Sequence, residues 1–337
     1  MTRTYHRIVL ASRPGGAPVA PEHFRLEQLP IPAVGAGQVL VRNHFLSLDP
    51  YMRGRIEDFK SYAAPQPLNE TMVGGTVGIV EESRHPNFAA GDVVAGYLGW
   101  QEYGLSDGQG LTKIDTRHVP MSAYLGPVGM PGVTAWYGLK QICQPKPGET
   151  VLVSAASGAV GSVAGQLAGI AGCRTIGIAG GPEKCAYVRA ELGFDACLDH
   201  RQYADVRGMS EALAAVAPDG IDAVFENVGG IGLDAALNRM NPFGRIALCG
   251  LIAGYEGGDI AIRNTRMLLT MRLRLQGFIV SEHPEIWPAA LAELGRGVAV
   301  GKIKYRETIA HGLAAAPEAF IGMLRGKNFG KQLVKLV

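Results

Sequence analysis

The 337-residue sequence lacks the features of a disordered, fibrous or strongly charged protein. Charged residues make up 18% of it and hydrophobic residues 47%, which is typical of a folded globular chain. There is no basic or acidic tract, and the net charge of +2 gives no reason to expect a nucleic acid or an anionic membrane as partner. The length allows two domains, each with its own core.

Cysteine is scarce and is missing altogether before position 143. The five cysteines are Cys143, Cys173, Cys185, Cys197 and Cys249. Their number is odd and no two form a CxxC pair, so we expect reduced thiols, mostly buried, without a disulfide framework or a four-cysteine zinc site. The histidines of the first half, His44, His85 and His118, stand singly without ligand spacing, and no metal site is predicted.

Long apolar segments are also lacking. The amino-terminal residues 1–16 contain too short an apolar run for a signal peptide. Residues 150–173 carry no charge, but small residues and a strand–turn–helix pattern interrupt them. We therefore expect no membrane span and a cytoplasmic protein.

The sequence pattern changes near residue 131. Before it, strand-like runs at 39–46, 75–80 and 91–96 alternate with glycine- and proline-rich turns, which predicts a small β-rich domain over residues 1–125. After it, strands alternate with helices, which predicts an α/β domain with a parallel sheet covered on both faces over 126–304. We expect the last segment, 305–337, to fold back onto the first domain. Strands are expected near 151–154, 174–179, 196–198, 222–226, 245–249 and 274–279, and helices near 132–142, 159–171, 182–192, 209–217, 231–240 and 284–298.

The most informative stretch is residues 151–161, VLVSAASGAVG. An apolar strand ends in the pattern Ala155-x-x-Gly158-x-x-Gly161, and a helix-compatible sequence follows. Such a turn allows the backbone to approach a pyrophosphate, and the helix start offers it free N–H groups and a positive dipole end. The pattern predicts a dinucleotide site at the carboxyl edge of the parallel sheet.

The next strand indicates which dinucleotide binds. NAD enzymes place an acid at the tip of this strand, whereas residues 180–184 read GGPEK. Two glycines leave room for a 2′-phosphate, and Lys184 falls in the first turn of the following helix, near Pro182. This pattern favours NADP over NAD; the alternative is that Lys184 is an ordinary solvated lysine.

Three segments together resemble a known family: residues 48–54 (LDPYMRG), 155–161 (AASGAVG) and 178–184 (IAGGPEK). They are similar to the zinc-independent double-bond reductases of the medium-chain dehydrogenase/reductase superfamily. That group includes leukotriene B4 12-hydroxydehydrogenase/prostaglandin reductases, plant alkenal reductases and bacterial curcumin reductases. The similarity extends to the tail at 326–331. It implies a GroES-like amino-terminal domain, a Rossmann domain, NADPH as cofactor and a homodimer, in which we expect segment 267–280 to pair edge strands.

The resemblance also implies a reaction. NADPH would give a hydride to the β-carbon of an α,β-unsaturated ketone or aldehyde, and an enolate would form. Tyr255, at the end of residues 249–255, is the residue expected to stabilise or protonate that enolate, although water is an alternative proton source. Tyr51 is expected to line the substrate cleft. The alternatives are a surface loop position for Tyr255 and simple packing for Tyr51.

The remaining expected contacts are to the cofactor. The resemblance assigns Gly158, Ala159, Val160 and Gly161 to the pyrophosphate, Gly181 and Lys184 to the 2′-phosphate, Asn227 to a ribose, Met130, Thr134, Cys249, Gly250, Leu251, Ile252, Tyr255, Phe278, Ile279 and Val280 to the nicotinamide end, and Asn328 to a closing tail. Core packing is the alternative for Met130 and Thr134, and a plain turn is the alternative for Asn227. His200 stands where relatives often have a tyrosine, and His200 or Arg201 is expected to contact phosphate or to remain solvated.

Two other functions remain open at this point. One is a quinone reductase with the same cofactor, for which both tyrosines would be less critical. The other is an NADPH-binding protein with a structural or sensory role and little turnover.

Overall fold

The structure is a computed structural model that describes residues 3–337. The chain forms two compact units. The first contains the chain up to Leu125 together with Glu307–Asn328 and Gln332–Val337, and the second contains Gly126–Arg306 and Phe329–Lys331.

The described residues form fifteen strands and nine α-helices. The strands are β1 (Thr4–Leu10), β2 (Phe24–Pro30), β3 (Val39–Ser47), β4 (Thr76–Ser83), β5 (Val93–Gly96), β6 (Tyr103–Ser106), β7 (Thr112–Lys113), β8 (Thr150–Val153), β9 (Arg174–Ala179), β10 (Ala196–Asp199), β11 (Ile221–Glu226), β12 (Met240–Leu248), β13 (Arg274–Gly277), β14 (Glu307–His311) and β15 (Lys331–Lys335). The helices are α1 (Met52–Arg55), α2 (Met130–Tyr137), α3 (Gly161–Ile170), α4 (Pro182–Ala190), α5 (Val206–Val216), α6 (Ile231–Leu237), α7 (Thr265–Thr270), α8 (Trp287–Ala299) and α9 (Ala316–Leu324).

The first unit is built on β-sheet. Strands β1 and β2 form an antiparallel pair, and a seven-stranded sheet runs in the order β14-β15-β3-β4-β5-β7, with β6 also paired to β3. The three strand-like runs predicted here correspond to β3, β4 and β5. Phe24 stacks on Trp100 with ring centroids 5.4 Å apart, and Phe320 of α9 meets Trp100 edge-on at 5.8 Å. Aromatic burial of this kind explains why the carboxyl-terminal helix belongs to this unit.

The second unit contains a six-stranded parallel sheet in the order β10-β9-β8-β11-β12-β13. The chain runs outward from β8 to β10 and then returns to β11, so the strand order reverses between β8 and β11. Alternate residues of the strands face two separate cores: Val151 and Val153 of β8 enter one, and Leu152 enters the other. The predicted doubly wound sheet is thereby confirmed. Loops at its carboxyl edge meet at the reversal, which is where such sheets bind ligands.

Two elements differ from the sequence-based expectation. The helix predicted over 132–142 is α-helical only to Tyr137 and continues as a π-helix over Gly138–Cys143. At Gly138 a Cβ would lie 2.5 Å from the Phe225 ring, so close packing governs the chain path here. Segment 267–280, expected to pair as an edge, is partly the short helix α7, and only Arg274–Gly277 forms a strand.

No helix within residues 3–337 combines the length and apolar character needed to cross a membrane.

Candidate active site

The turn after β8 has the backbone geometry that a pyrophosphate requires. Ala155 adopts φ +48°, and its carbonyl oxygen accepts a hydrogen bond from Gly158 N at 2.9 Å. A Cβ on Gly161 would lie 2.4 Å from that same oxygen, closer than any real Cβ contact. Glycine is therefore required at 161, where α3 begins with its N–H groups directed toward the turn. Ala159 and Val160 complete the turn between the two glycines.

A second segment of the chain borders this turn. Gly330 forms a parallel bridge with Gly158, and a Cβ on Gly330 would lie 1.9 Å from the Arg306 carbonyl oxygen. Phe329 meets Tyr187 edge-on with ring centroids 5.0 Å apart, and the Arg306 guanidinium lies 3.9 Å from its ring centroid. The sequence-based prediction named Asn328, which belongs to the first unit. It missed Phe329 and Gly330, whose pairing with the turn spans most of the chain.

Three cationic side chains surround the two glycines after β9. A Cβ on Gly180 would lie 2.9 Å from His200 Nε2, and one on Gly181 would lie 3.1 Å from an Arg201 guanidinium nitrogen. Burial lowers the pKa of Lys184, and the nearby Arg201 lowers it further. Burial also lowers the pKa of His200, where Asp199 opposes the effect of Arg201 and Lys184. These three residues form a positively charged notch that only glycines leave open.

An acid next to the notch faces the backbone. Asp199 Oδ1 accepts hydrogen bonds from Gly181 N at 2.8 Å and Arg201 N at 3.1 Å. The first of these bonds is the main reason that the pKa of Asp199 is lowered. The carboxylate fixes Gly181, which has φ +98°, and Arg201 in place. The notch therefore fits a phosphate dianion, and Arg201, which the sequence-based analysis named beside His200, contributes one of its three cations.

The loops after β11 and β12 run side by side at the reversal point. Cys249 N donates to the Glu226 carbonyl oxygen at 2.8 Å, and Ile252 N donates to that of Asn227 at 3.2 Å. Gly250 and Leu251 lie between them. Tyr255 follows the 3-10 turn Ile252–Gly254, is half-buried, and donates its N–H to the Ile252 oxygen at 3.1 Å. The structure thus brings together Asn227, the Cys249–Ile252 loop and Tyr255.

Two polar residues that the sequence-based analysis did not name hold these loops. Ser154 follows β8 and Glu226 ends β11, and both are buried. The Asn227 side-chain amide donates to the Ser154 carbonyl oxygen at 2.8 Å, so its NH₂ group fixes the loop. An acid at the end of the apolar run 221–225 was the signal that marked Glu226.

The other residues expected at the nicotinamide end are mainly in the core. The Thr134 hydroxyl donates to the Met130 carbonyl oxygen at 2.7 Å, which leaves only its lone pairs for a ligand. Phe278 packs against Tyr137 with centroids 5.3 Å apart, and Val280 is buried in the same core, next to Ile279. Core packing, the alternative stated for Met130 and Thr134, is a role that the structure supports for all of these side chains.

Tyr51 lies in the first unit, immediately before α1. Its hydroxyl has no hydrogen-bond partner within residues 3–337, although it is buried. Burial raises the pKa of Tyr51, and the nearby Asp49 raises it further. Tyr62 and Tyr97 also lie close enough to contribute to this shift, and their side chains are 55% and 60% exposed. The sequence-based analysis did not identify these two tyrosines.

A buried ion pair fixes the segment that carries Tyr51. Arg53 donates to Glu57 at 2.5 Å within the first helical turn, and both side chains are less than 9% exposed. Glu57 also accepts from Gly16 N at 3.1 Å, and Arg13 donates to the Glu57 carbonyl oxygen at 3.2 Å. These contacts give the loop after Tyr51 a defined position.

Among residues 3–337 there is no group of three or more His, Cys, Asp or Glu placed to hold a metal ion. All five cysteines are free thiols; Cys143, Cys173 and Cys185 are buried, and Cys197 and Cys249 are half-buried.

Comparison with known proteins agrees with this architecture. Residues 6–114 match the family described as the N-terminal domain of oxidoreductase, and residues 159–296 match the family described as zinc-binding dehydrogenase. The NADPH-dependent curcumin reductase of Escherichia coli (strain K12) is 48% identical over 98% of this chain and 96% of its own length. The 2-alkenal reductase (NADP(+)-dependent) of Nicotiana tabacum is 43% identical over 89% of this chain and 88% of its own.

A solved structure extends the similarity to three dimensions. The crystal structure of CurA in complex with NADPH from Vibrio vulnificus superimposes with a TM-score of 0.90 at 49% identity, covering 98% of this chain and 99% of that one. Together with the two-unit fold and the glycine turn, these similarities show that the chain belongs to the zinc-independent double-bond reductases of the medium-chain dehydrogenase/reductase superfamily.

Proposed function

We propose that this protein reduces the C=C bond of α,β-unsaturated ketones and aldehydes, with Tyr255 stabilising or protonating the enolate. It is an NADP-dependent oxidoreductase, as its relatives are. The observation that carries the proposal is the cationic notch of Lys184, His200 and Arg201 beside the Gly158–Gly161 turn. A Cβ would fill either feature, and both fit the phosphates of NADPH.

The bound cofactor supplies a hydride. The protein's own residues hold it and manage the charge that develops on the substrate. The Gly158–Gly161 turn binds the pyrophosphate, and Lys184, His200 and Arg201 neutralise the 2′-phosphate. Asn227, the Cys249–Ile252 loop and Asn328 position the remainder. A phenol such as Tyr255 is suited to donate a hydrogen bond to an enolate oxygen, and Tyr51 supplies a second hydroxyl at the substrate.

Initial rates test this proposal directly. A panel of 2-alkenals, aryl enones and quinones is assayed with NADPH and with NADH. Reduction of the enals and enones with NADPH supports the proposal. Turnover of quinones alone would assign the protein to the quinone reductases, and absence of NADPH oxidation across the panel would indicate a binding protein with little turnover.

The pH dependence of NADPH binding follows from His200. Its pKa is below the ordinary value in the free protein, and a phosphate dianion beside it would raise that pKa. Binding then takes up a proton, so affinity for NADPH should rise about three- to tenfold as the pH falls from about 8 to about 6.5. Fluorescence titration over this range measures it. His200→Gln should flatten the dependence, and an unchanged slope in that variant would contradict the assignment.

Tyr51→Phe should separate stability from activity. The hydroxyl it removes is buried without a partner, so the free energy of unfolding should stay constant or rise by about 1 kcal/mol. Enal reduction should fall about tenfold, because the substrate loses a hydrogen-bond donor. Denaturant unfolding and steady-state rates measure the two effects. The control is Tyr124→Phe, whose hydroxyl donates to the Asp115 carbonyl oxygen at 2.6 Å: that variant should lose stability and keep its activity.

We also propose that the protein is a homodimer that pairs through β13. This strand is an edge of the six-stranded sheet, and the preceding helix exposes Leu269 to 79%. An uncovered edge next to an exposed leucine is a surface that proteins normally cover. Light scattering on the purified protein should give twice the 35.7 kDa mass of the chain.

A further inference from the structure

Glu226 is a buried acid to which the proposed reaction assigns no role. It ends β11 and is 1% exposed. Its Oε1 atom accepts three hydrogen bonds: from Ser154 Oγ at 2.9 Å, from Val228 N at 2.6 Å and from Gly229 N at 2.7 Å. A buried carboxyl group is costly unless its hydrogen bonds are made, so this set of contacts explains how the acid is tolerated.

The contacts of Glu226 extend to three strand ends. Ser154, at the end of β8, accepts from Asn227 N at 2.7 Å while it donates to Glu226. The backbone carbonyl of Glu226 accepts from Cys249 N at 2.8 Å and Gly250 N at 3.2 Å, just after β12. One residue therefore connects the carboxyl ends of β8, β11 and β12, on both sides of the reversal point.

We propose that Glu226 is a positioning residue for the nicotinamide half of the cofactor, acting through the Asn227–Gly229 and Cys249–Ile252 loops. The inference rests on the proposed binding of NADPH at this edge. Glu226 acts through the groups that it holds and need not touch the ligand. Its side chain orders the first loop and Ser154, and its main chain holds the start of the second.

The geometry also specifies which atom matters. All three donors converge on Oε1, so a single acceptor oxygen at that place is sufficient. Burial raises the pKa of Glu226, against the opposing effect of its hydrogen bonds, and so moves it toward the neutral acid. A glutamine amide has the same shape and keeps the acceptor oxygen. Aspartate is one methylene shorter, and alanine leaves two backbone N–H groups and a hydroxyl without this acceptor.

Two ligands distinguish local positioning from general damage. NADPH occupies both ends of the proposed site, whereas adenosine 2′,5′-bisphosphate occupies only the end formed by Lys184, His200 and Arg201. A residue that orders the nicotinamide loops should change the affinity for NADPH and leave that for the bisphosphate intact. A residue that merely supports the fold should change both.

The experiment measures the dissociation constants of both ligands by calorimetry for the native protein and for Glu226→Ala, Glu226→Asp, Glu226→Gln and Ser154→Ala. For Glu226→Ala and Glu226→Asp, NADPH should bind about 10- to 100-fold more weakly while the bisphosphate changes less than about twofold. Glu226→Gln should stay within about threefold of native for NADPH. Ser154→Ala, which introduces no change of charge, should weaken NADPH binding by about three- to tenfold and is informative even if Glu226→Ala fails to fold.

Glu149→Ala is the matched control. Glu149 pairs with Arg245 at 2.5 Å at the opposite, amino-terminal edge of the same sheet. Its loss should reduce stability and leave both dissociation constants unchanged. Parallel loss of both ligands in the Glu226 variants, native-like binding by Glu226→Ala, or equal damage from glutamine and alanine would each overturn the inference. Failure of the native protein to bind either ligand would instead refute the proposed cofactor site itself.

Discussion

Simultaneous replacement of Lys184 and Arg201 by alanine should lower kcat/KM for NADPH about 10³-fold and change that for NADH less than about threefold. Each cation would otherwise contribute a charge-assisted hydrogen bond to the 2′-phosphate, worth about 2 kcal/mol. Two such bonds amount to about three powers of ten, at about 1.4 kcal/mol for each. NADH has no 2′-phosphate and loses nothing. The measurement is the ratio of kcat/KM values for the two cofactors with one enal.

The control for this prediction lies on the same helix. Arg189 is an exposed arginine in the last turn of α4, and Arg189→Ala removes a cation without affecting the notch around Gly180 and Gly181. It should keep the native preference. If the double variant lost activity equally with NADPH and NADH, the notch would be structural, and its assignment to the 2′-phosphate would be wrong.

Tyr255→Phe should lower kcat for enal reduction about 10²-fold or more while the dissociation constant of NADPH changes less than about twofold. The hydroxyl is assigned to the oxygen on which negative charge develops, and the ring, which is retained, is sufficient for packing. Steady-state rates and fluorescence titration measure the two quantities. Quinone reduction by the same variant provides an internal comparison, because it should depend less on this phenol. An equal fall for both substrate classes, or no fall, would remove Tyr255 from the chemistry.

The sequence was sufficient for those parts of the site that depend on local backbone rules. The turn at 155–161 was predictable because a Cβ at Gly161 has no room, and that restriction is visible as glycine in the sequence. The parallel sheet was predictable because alternating apolar strands and helices permit few other arrangements. The cofactor preference followed from Gly180 and Gly181, which stand where an acid would bind a ribose.

Features that depend on distant partners were not predictable. Glu226 meets Ser154 across 72 residues of sequence, and the bridge between Gly158 and Gly330 joins the middle of the chain to its end. No local pattern marks such pairs. The π-helix after Tyr137 has the same origin, because the Phe225 ring that packs against Gly138 comes from another strand.

The central claim is that hydride reaches the β-carbon of an activated alkene. It is tested most directly by reducing a 2-alkenal with NADPH carrying deuterium at C4 and locating the label in the product by NMR. We predict one deuterium on the β-carbon, a solvent proton on the α-carbon and an intact aldehyde. Deuterium on the carbonyl carbon of an alcohol product would show carbonyl reduction and would contradict the account.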